Sequence, residues 1–337
     1  MAQRLTEGEW RPLETAHHAR VDAVTAAHLS RRQGARKHPV EDFLFTYYMH
    51  SPAQLRRWHP GPGVGLDGAD DRDGWTFYRY VDGAAQVNLA AFLAARSDTV
   101  GFIRDLLSTT ASRTAHLDCF GLHEWAMVYR QTPQEVRHAD WPLRLGPEGT
   151  DAVVESHQIR CSHFDAFRFF TPAARSLNTL APKRDSQIAM EQPGCLHANM
   201  DLYKWAYKLS PAIPSDLTMD CFNLAREVRE LDMRAAPYDL RPLGYAPVEI
   251  ETAAGKAAYV AAQRDFNTRA QVLRLRLIDA CNTMSPGAKD YGPRSQGVVA
   301  TPRFFEVLEY GSSQAVAFGA ETVLEADRRR CANRCGV

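Results

Sequence analysis

No apolar run in this chain approaches the roughly 20 residues that a membrane-spanning helix requires, because charged residues interrupt each of the longer ones. The opening segment, MAQRLTEGEWRPLE, lacks the apolar centre of a secretory signal. A cytoplasmic protein with no membrane partner is therefore expected. Net charge is also missing. Lys+Arg and Asp+Glu stand at 40 each, so no whole-molecule field draws in a phosphate backbone or an anionic bilayer. Any contact with nucleic acid must come from a local patch.

Several catalytic signatures are absent as well. The chain has no glycine-rich phosphate loop, no Gly-x-Ser-x-Gly elbow and no His-Glu-x-x-His helix. GPGVG at Gly61 to Gly65 lacks the strand-to-helix frame of a dinucleotide fingerprint. Nucleotide-driven and serine-hydrolase chemistries are thereby excluded. The seven cysteines never fall at Cys-x-x-Cys spacing, which removes the usual structural zinc and dithiol motifs and leaves reduced thiols as the expectation. Cys331 and Cys335 stand a helical turn apart in a polar tail, RRRCANRCGV, where fraying is the simpler reading.

What is present is ordinary globular material, 45% hydrophobic and 24% charged over 337 residues. The periodicities predict a mainly α fold, a single-domain helical bundle over residues 1–325 with at most a small β ribbon, followed by a polar C-terminal tail at 326–337. Apolar residues at helical spacing mark Glu14 to Arg32, and His38 to His50 begins a second helix with Pro39 in its first turn. Residues 61–74, dense in Gly and Asp, read as a mobile surface loop. Trp75 to Val81 alternates aromatic and polar residues and is the best strand. Val87 to Arg113 reads as two helices divided at Ser97 and Asp98, both good N-caps. From Ser215 to Arg234, Leu217, Cys221, Leu224, Val228 and Leu231 form a seam at steps of four and three. Thr252 to Met284 repeats it with Tyr259, Phe266, Ala270, Leu273, Leu277 and Cys281. Ser285 to Pro302 is a Pro/Gly loop, and Phe304 to Arg330 a last helical region.

Between Leu122 and Asp232, four stretches concentrate His, acidic, aromatic and Cys residues, and the working residues are expected there. FGLHEWAMVYR places His123 and Glu124 beside Trp125, with Tyr129 one turn on. A carboxylate against an indole suits acid–base use; equally, Trp125, Met127 and Tyr129 are core while His123 and Glu124 cap or face water. HQIRCSHFDAFRFF carries His163 and Asp165 near Arg160 and Arg168 in an aromatic run, which calls for an internal polar network or a plain Asp–Arg pairing. PGCLHANMDLYKWAYKL sets His197 and Asp201 a helical turn apart, able to grip one metal or one substrate from one face, or to form an ordinary helix salt bridge. AREVRELDMRAAPYDL packs Arg, Glu and Asp against the seam and reads as a solvated face or a supporting layer.

The stretches RKHPVEDFLFTYY, RRWHPGPGVGL, FGLHEWAMVYRQ, HQIRCSHFDAFRFFTPAAR and EQPGCLHANMDLYKWAYKLSP resemble those of an actinobacterial family commonly labelled 3-methyladenine DNA glycosylase, over most of Arg11 to Ala280. The resemblance implies a DNA-repair hydrolase that removes alkylated purines, with DNA as partner and no cofactor. Such a site needs an aromatic slot for a cationic base, a carboxylate to orient water, and a means of extracting the base. Trp125, Tyr129, Tyr203, Trp205 and Tyr207 are the candidates for the slot, with Arg160 beside them as a substrate contact. Glu124 or Asp201 is the candidate carboxylate, with His123, His163 and Asp165 as further catalytic candidates. Arg31-Arg32, Arg36-Lys37 and Arg56-Arg57, with Trp58 and His59 nearby, are candidates for phosphate contact.

Against this implication stand the neutral charge balance and the absence of a helix-hairpin-helix segment. The family label puts the glycosylase first, while the residues alone slightly favour a metal-dependent enzyme acting on a small molecule. A transition metal such as iron would then take ligands from His163, Asp165, His197 and Asp201, with His123, Glu124 and His157 as further possibilities. None of these positions reproduces the Glu-x-x-His pairs of the di-iron bundles. A ligand-binding protein without turnover is the third reading.

Overall fold

In the computed structural model, which describes residues 3–132, 135–136 and 140–284, helices carry the architecture. The chain opens with β1 (Gln3–Leu5), α1 (Glu7–Gln33), α2 (Phe43–Tyr47) and α3 (Pro52–Arg56). Strands β2 (Val64–Asp67), β3 (Tyr78–Val81) and β4 (Ala84–Val87) follow, then α4 (Leu89–Ala111). Short helices come next: α5 (Leu122–Ala126), α6 (Gly146–Glu155), α7 (Phe164–Phe167), α8 (Pro172–Arg175) and α9 (Gln187–Met190). Three long ones close the described chain: α10 (Leu196–Leu209), α11 (Ser215–Arg234) and α12 (Ala253–Met284). The expectation of a mainly α fold with a small β element holds. The described residues fall within one unit, 1–293. The loop from 285, the helical region over 304–330 and the boundary at 325/326 lie outside the described residues.

Helices α4, α10, α11 and α12 pack together as the bundle, and the seams foreseen in α11 and α12 lie inside it. Leu217, Cys221, Leu224, Val228 and Leu231 are all buried, as are Tyr259, Phe266, Ala270, Leu273, Leu277 and Cys281. Each such Leu or Val withdrawn from water contributes on the order of 1.5–3 kcal/mol, which is why helices of middling propensity hold their shape.

The expected break at Ser97 and Asp98 does not occur: α4 runs unbroken from Leu89 to Ala111. Phe92, Val100, Ile103, Leu106 and Leu107 share one buried face along it, while Ser97 and Asp98 point to solvent. A cap residue on the exposed side of a well-packed helix costs only its propensity. The helix read over His38 to His50 shrinks to Phe43–Tyr47, because Asp42 turns back to accept from His28, Arg31 and the His38 N–H.

The segment 61–74 also differs from its reading as a loop. It contains β2, paired parallel with β1 and antiparallel with β4 in a sheet of order β1-β2-β4-β3. Leu66 and Ala69 are fully buried there, and Trp10 donates its indole N–H to the Asp67 carbonyl at 2.9 Å. Arg72 is fully buried, bonded to Glu14 at 2.5 Å and stacked between Trp10 and Trp75. Glycines had hidden a short alternating strand. Of the strand read over Trp75 to Val81, only Tyr78–Val81 pairs. It turns onto β4 through Asp82-Gly83, both at positive φ, the two-residue hairpin that this dipeptide favours.

His59 sits half-buried against this layer, its Nδ1 3.0 Å from the Tyr78 hydroxyl. Burial, reinforced by Arg72 and Arg57, pushes its imidazole down to about 3, and burial also lowers His17. The ordinary value is 6.5, so as pH falls from there towards 3 the unfolded chain takes up a proton that the folded chain refuses, and stability is lost over that window. The melting temperature is expected to drop across it, and His59→Gln to flatten the drop. An identical slope in the variant would remove His59 as its source.

Candidate metal centre

The short helix α5 is aimed by the two residues before it. Phe120 and Gly121 both adopt positive φ, and a Cβ on Gly121 would sit 3.4 Å from Ala235 and Tyr259. Glycine there lets α5 press against the end of α11 and against α12, which turns His123 inward. Gly194 does the same for α10: a Cβ at that position would fall 2.4 Å from the His116 carbonyl. The close approach seats the first turn of α10, and with it His197. Asp232 comes from the last turn of α11, fully buried beside the apolar seam.

These three side chains meet. One ligand atom from each of His123, His197 and Asp232 lies within 4.8 Å of the other two. His123 Nε2 is 2.8 Å from Asp232 Oδ1, and the His123 and His197 rings stand edge to face with centroids 4.4 Å apart. Despite its length, the His123–Asp232 contact is not aligned as a hydrogen bond, and both atoms are buried without another partner. The second carboxylate oxygen of Asp232 accepts from Arg229 Nη1 at 3.0 Å, and the same nitrogen reaches Glu124 at 2.9 Å.

Burial opposes a charge on His123, but Asp232 outweighs it and raises the imidazole. Asp232, which burial would raise, is held well below the carboxylate range by His123, His197 and Arg229. His197 is driven far down by burial and by His123, so its ring is neutral and its lone pair available.

A second group adjoins the first. His163 stacks on His197 with centroids 5.3 Å apart, and its Nε2 lies 3.2 Å from Glu191 Oε1 and 3.5 Å from Asp201 Oδ2. Asp201 accepts from the Tyr48 hydroxyl at 2.7 Å and from Lys204 at 2.9 Å, and Lys204 also reaches Asp165 at 3.0 Å. Burial resists charging His163, yet Glu191 and Asp201 push it up to about 10. Lys204 and His163 hold Asp201 far below its ordinary value against the effect of burial.

Beside the first group lies a cavity of ≈ 20 Å³, room for about one water. His123 and His197 line it together with Cys119, Cys161 and Cys195. Burial raises all three thiols, Cys161 to about 12, so they form a neutral, soft wall. Arg160, Ser162 and Gln192 are shared with a larger outer cavity of ≈ 390 Å³, whose lining adds Arg113 and His116. Arg113 is partly buried and donates to the Glu191 carbonyl at 2.5 Å; among the described residues no carboxylate forms an ion pair with it. Arg160 pairs loosely with Asp118 at 3.6 Å.

Other expected site residues are placed elsewhere. The grouping of His163, Asp165, His197 and Asp201 around one metal is not found: His197 joins His123 and Asp232, His163 joins Asp201 and Glu191, and Asp165 belongs to neither. Asp165 is ion-paired to Lys204, Arg168 and Arg184. His157 bonds the Val153 carbonyl at the end of α6. Glu124 is occupied by Arg229 and does not line the cavity.

Trp125 is fully buried core, its N–H given to the Ala235 carbonyl at 2.8 Å. Tyr203 and Trp205 are equally buried within α10, and Tyr129 donates to Glu155 at 2.7 Å. Neither of these two cavities is lined by any of these four rings. Arg160 alone of the expected substrate contacts faces the cavities. Compared with known family models, curated proteins and solved structures, the chain matches none.

Proposed function

We propose that the chain is a metal-dependent enzyme acting on a small anionic molecule, with a transition metal such as iron held by His123, His197 and Asp232. The observation that carries this reading is a two-histidine, one-carboxylate set on three separate helices, two of its members lining a cavity. That donor set, with positions left open, is the one used by non-haem iron oxygenases, and zinc accepts similar ligands in hydrolases.

The misaligned contact supports it further. Two ligands on bonds of about 2.0–2.1 Å stand about 2.9 Å apart at a right angle and about 3.4 Å apart at the tetrahedral angle. The 2.8 Å from His123 Nε2 to Asp232 Oδ1 is close to the first. Two lone pairs aimed at a common third point are near one another without pointing at each other. A bound metal would supply Lewis acidity or a site for oxygen or water.

The protein's own residues would do the rest. Arg229 orients Asp232 through its second oxygen, the kind of outer contact that tunes metal ligands. The three thiols with Ile159 and Leu196 form the less polar part of the inner cavity's lining. Arg113 and Arg160 would take a carboxylate or phosphate on the substrate, since guanidinium forks match those groups.

Arg160→Leu is expected to raise KM for an acidic substrate with little change in kcat, because the contact serves ground and transition states alike. A fall in kcat at constant KM would place Arg160 in the chemistry instead. The reading itself is tested by metal analysis of untagged protein. A near-stoichiometric transition metal, with activity lost to a chelator, is expected. A metal-free protein that removes bases from alkylated DNA would overturn it in favour of the glycosylase that the family resemblance implies.

A further inference from the structure

We propose that His163, Glu191 and Asp201 form a second metal site, so that the centre holds two metal ions with His197 between their ligand sets. The inference rests on the proposed function and adds a separate site to it. One ligand atom from each of the three residues lies within 4.8 Å of the others, and all three are at most 2% exposed.

His163 is the telling member. It is 1% exposed, yet neither ring nitrogen has an aligned hydrogen-bond partner. Its Nε2 points between two carboxylate oxygens at 3.2 and 3.5 Å, close to the edges of about 2.9–3.4 Å that ligands on bonds of about 2.0–2.1 Å would show. The same misalignment occurs at His123 and Asp232 in the first set.

Lys204 is divided between Asp201 and Asp165, and Asp165 is paired with Arg168 and Arg184 as well. Glu191 has the Gln187 amide as a neutral partner at 2.5 Å. A divalent cation at the focus of His163, Glu191 and Asp201 would sit between one imidazole nitrogen and two carboxylate oxygens. Lys204 does not block this. A carboxylate oxygen has two lone pairs, so Asp201 Oδ2 can accept from Lys204 and still donate to a metal, while Tyr48 fixes the other oxygen. His163 stacked on His197 at 5.3 Å then places the two sets side by side.

The test is a count of bound metal. The full-length protein, stripped and then titrated anaerobically with Fe(II) and separately with Mn(II), is expected to bind two ions per chain, and the manganese form to give an exchange-coupled electron paramagnetic resonance spectrum. Glu191→Gln, which keeps volume and the contact with Gln187, is expected to bind one ion and give the spectrum of an isolated one. His163→Gln provides the same reading should that variant fail to fold. One ion per chain in the parent protein, lost in His123→Ala and kept in Glu191→Gln, would overturn the second site and leave the proposed function standing. Two ions retained in both second-site variants would also overturn it. No bound ion in the parent would overturn both readings.

Discussion

His197→Ala is expected to yield a folded protein that no longer retains its transition metal and has lost its activity. His197 is half-buried, and its ring contacts are with His123 and His163, so little of the hydrophobic core depends on it. The bundle's seams in α11 and α12 are untouched, and the melting temperature of the metal-free forms should be close to that of the parent. The metal is another matter. Losing an outer partner of a ligand costs roughly 10–100-fold in metal affinity, and loss of a ligand itself, one of three, is expected to exceed that. His157→Ala is the control. His157 belongs to the same histidine-rich stretches, but its Nδ1 is engaged with the Val153 carbonyl and it lies outside both ligand groups, so its metal content should match the parent's. Mass-spectrometric metal content of the two variants, alongside their thermal melts, decides. Undiminished metal in folded His197→Ala would remove it as a ligand, and the proposed function with it.

The sequence made the bundle legible because burial enforces a period. Leu217 to Leu231 and Tyr259 to Cys281 repeat at steps a helix must have, and no cap or propensity competes with that signal. Where two signals conflicted, packing won. Ser97 is a good cap, yet Phe92 and Val100 lie on one face and keep α4 whole. In 61–74 the conflict ran the other way: glycines masked Val64 and Leu66, and the acidic run around Arg72 gives no sign that this arginine is buried.

The site shows the same division. His123, His163, His197 and Asp201 stood out because histidines among aromatic residues are conspicuous in a linear reading. Asp232 and Glu191 did not. Asp232 lies in AREVRELDMR, where five other charges surround it, and the run reads as solvated. A signal was nonetheless there: Ala225, Arg229 and Asp232 fall at helical steps alongside Val228, so the Arg–Asp pair shares the buried side of α11. Glu191 precedes a Gln-Pro-Gly turn outside any regular period, and nothing local distinguishes it. Which histidine would join which carboxylate is a property of three-dimensional approach, set by the glycines at 121 and 194 and invisible to spacing. The i, i+4 pair of His197 and Asp201 therefore misled, since its two members serve different groups.

Arg229→Met is expected to be the most damaging single change to stability. The guanidinium is 2% exposed and stands between Glu124 and Asp232, with its ring-facing side over Phe43 at 3.9 Å. Methionine fills much of the volume but leaves Glu124 without its cation and Asp232 with only His123 beside it. Removing one partner of a buried pair costs about 3–5 kcal/mol, far above the roughly 0–1 kcal/mol of exposed pairs such as Arg269 with Glu227. Urea unfolding of the metal-free protein should report it as a lower midpoint with an unchanged slope, a change in stability without a change in compactness. Glu124→Gln on the same background should recover part of the loss, since the charge left without its cation is then gone. Added metal should recover part as well, because a divalent ion beside Asp232 replaces the missing positive charge and stabilises by binding the folded state alone. Full recovery by Glu124→Gln with none from metal would mean that Asp232 carries no ion and that the Arg229 cluster is structural only.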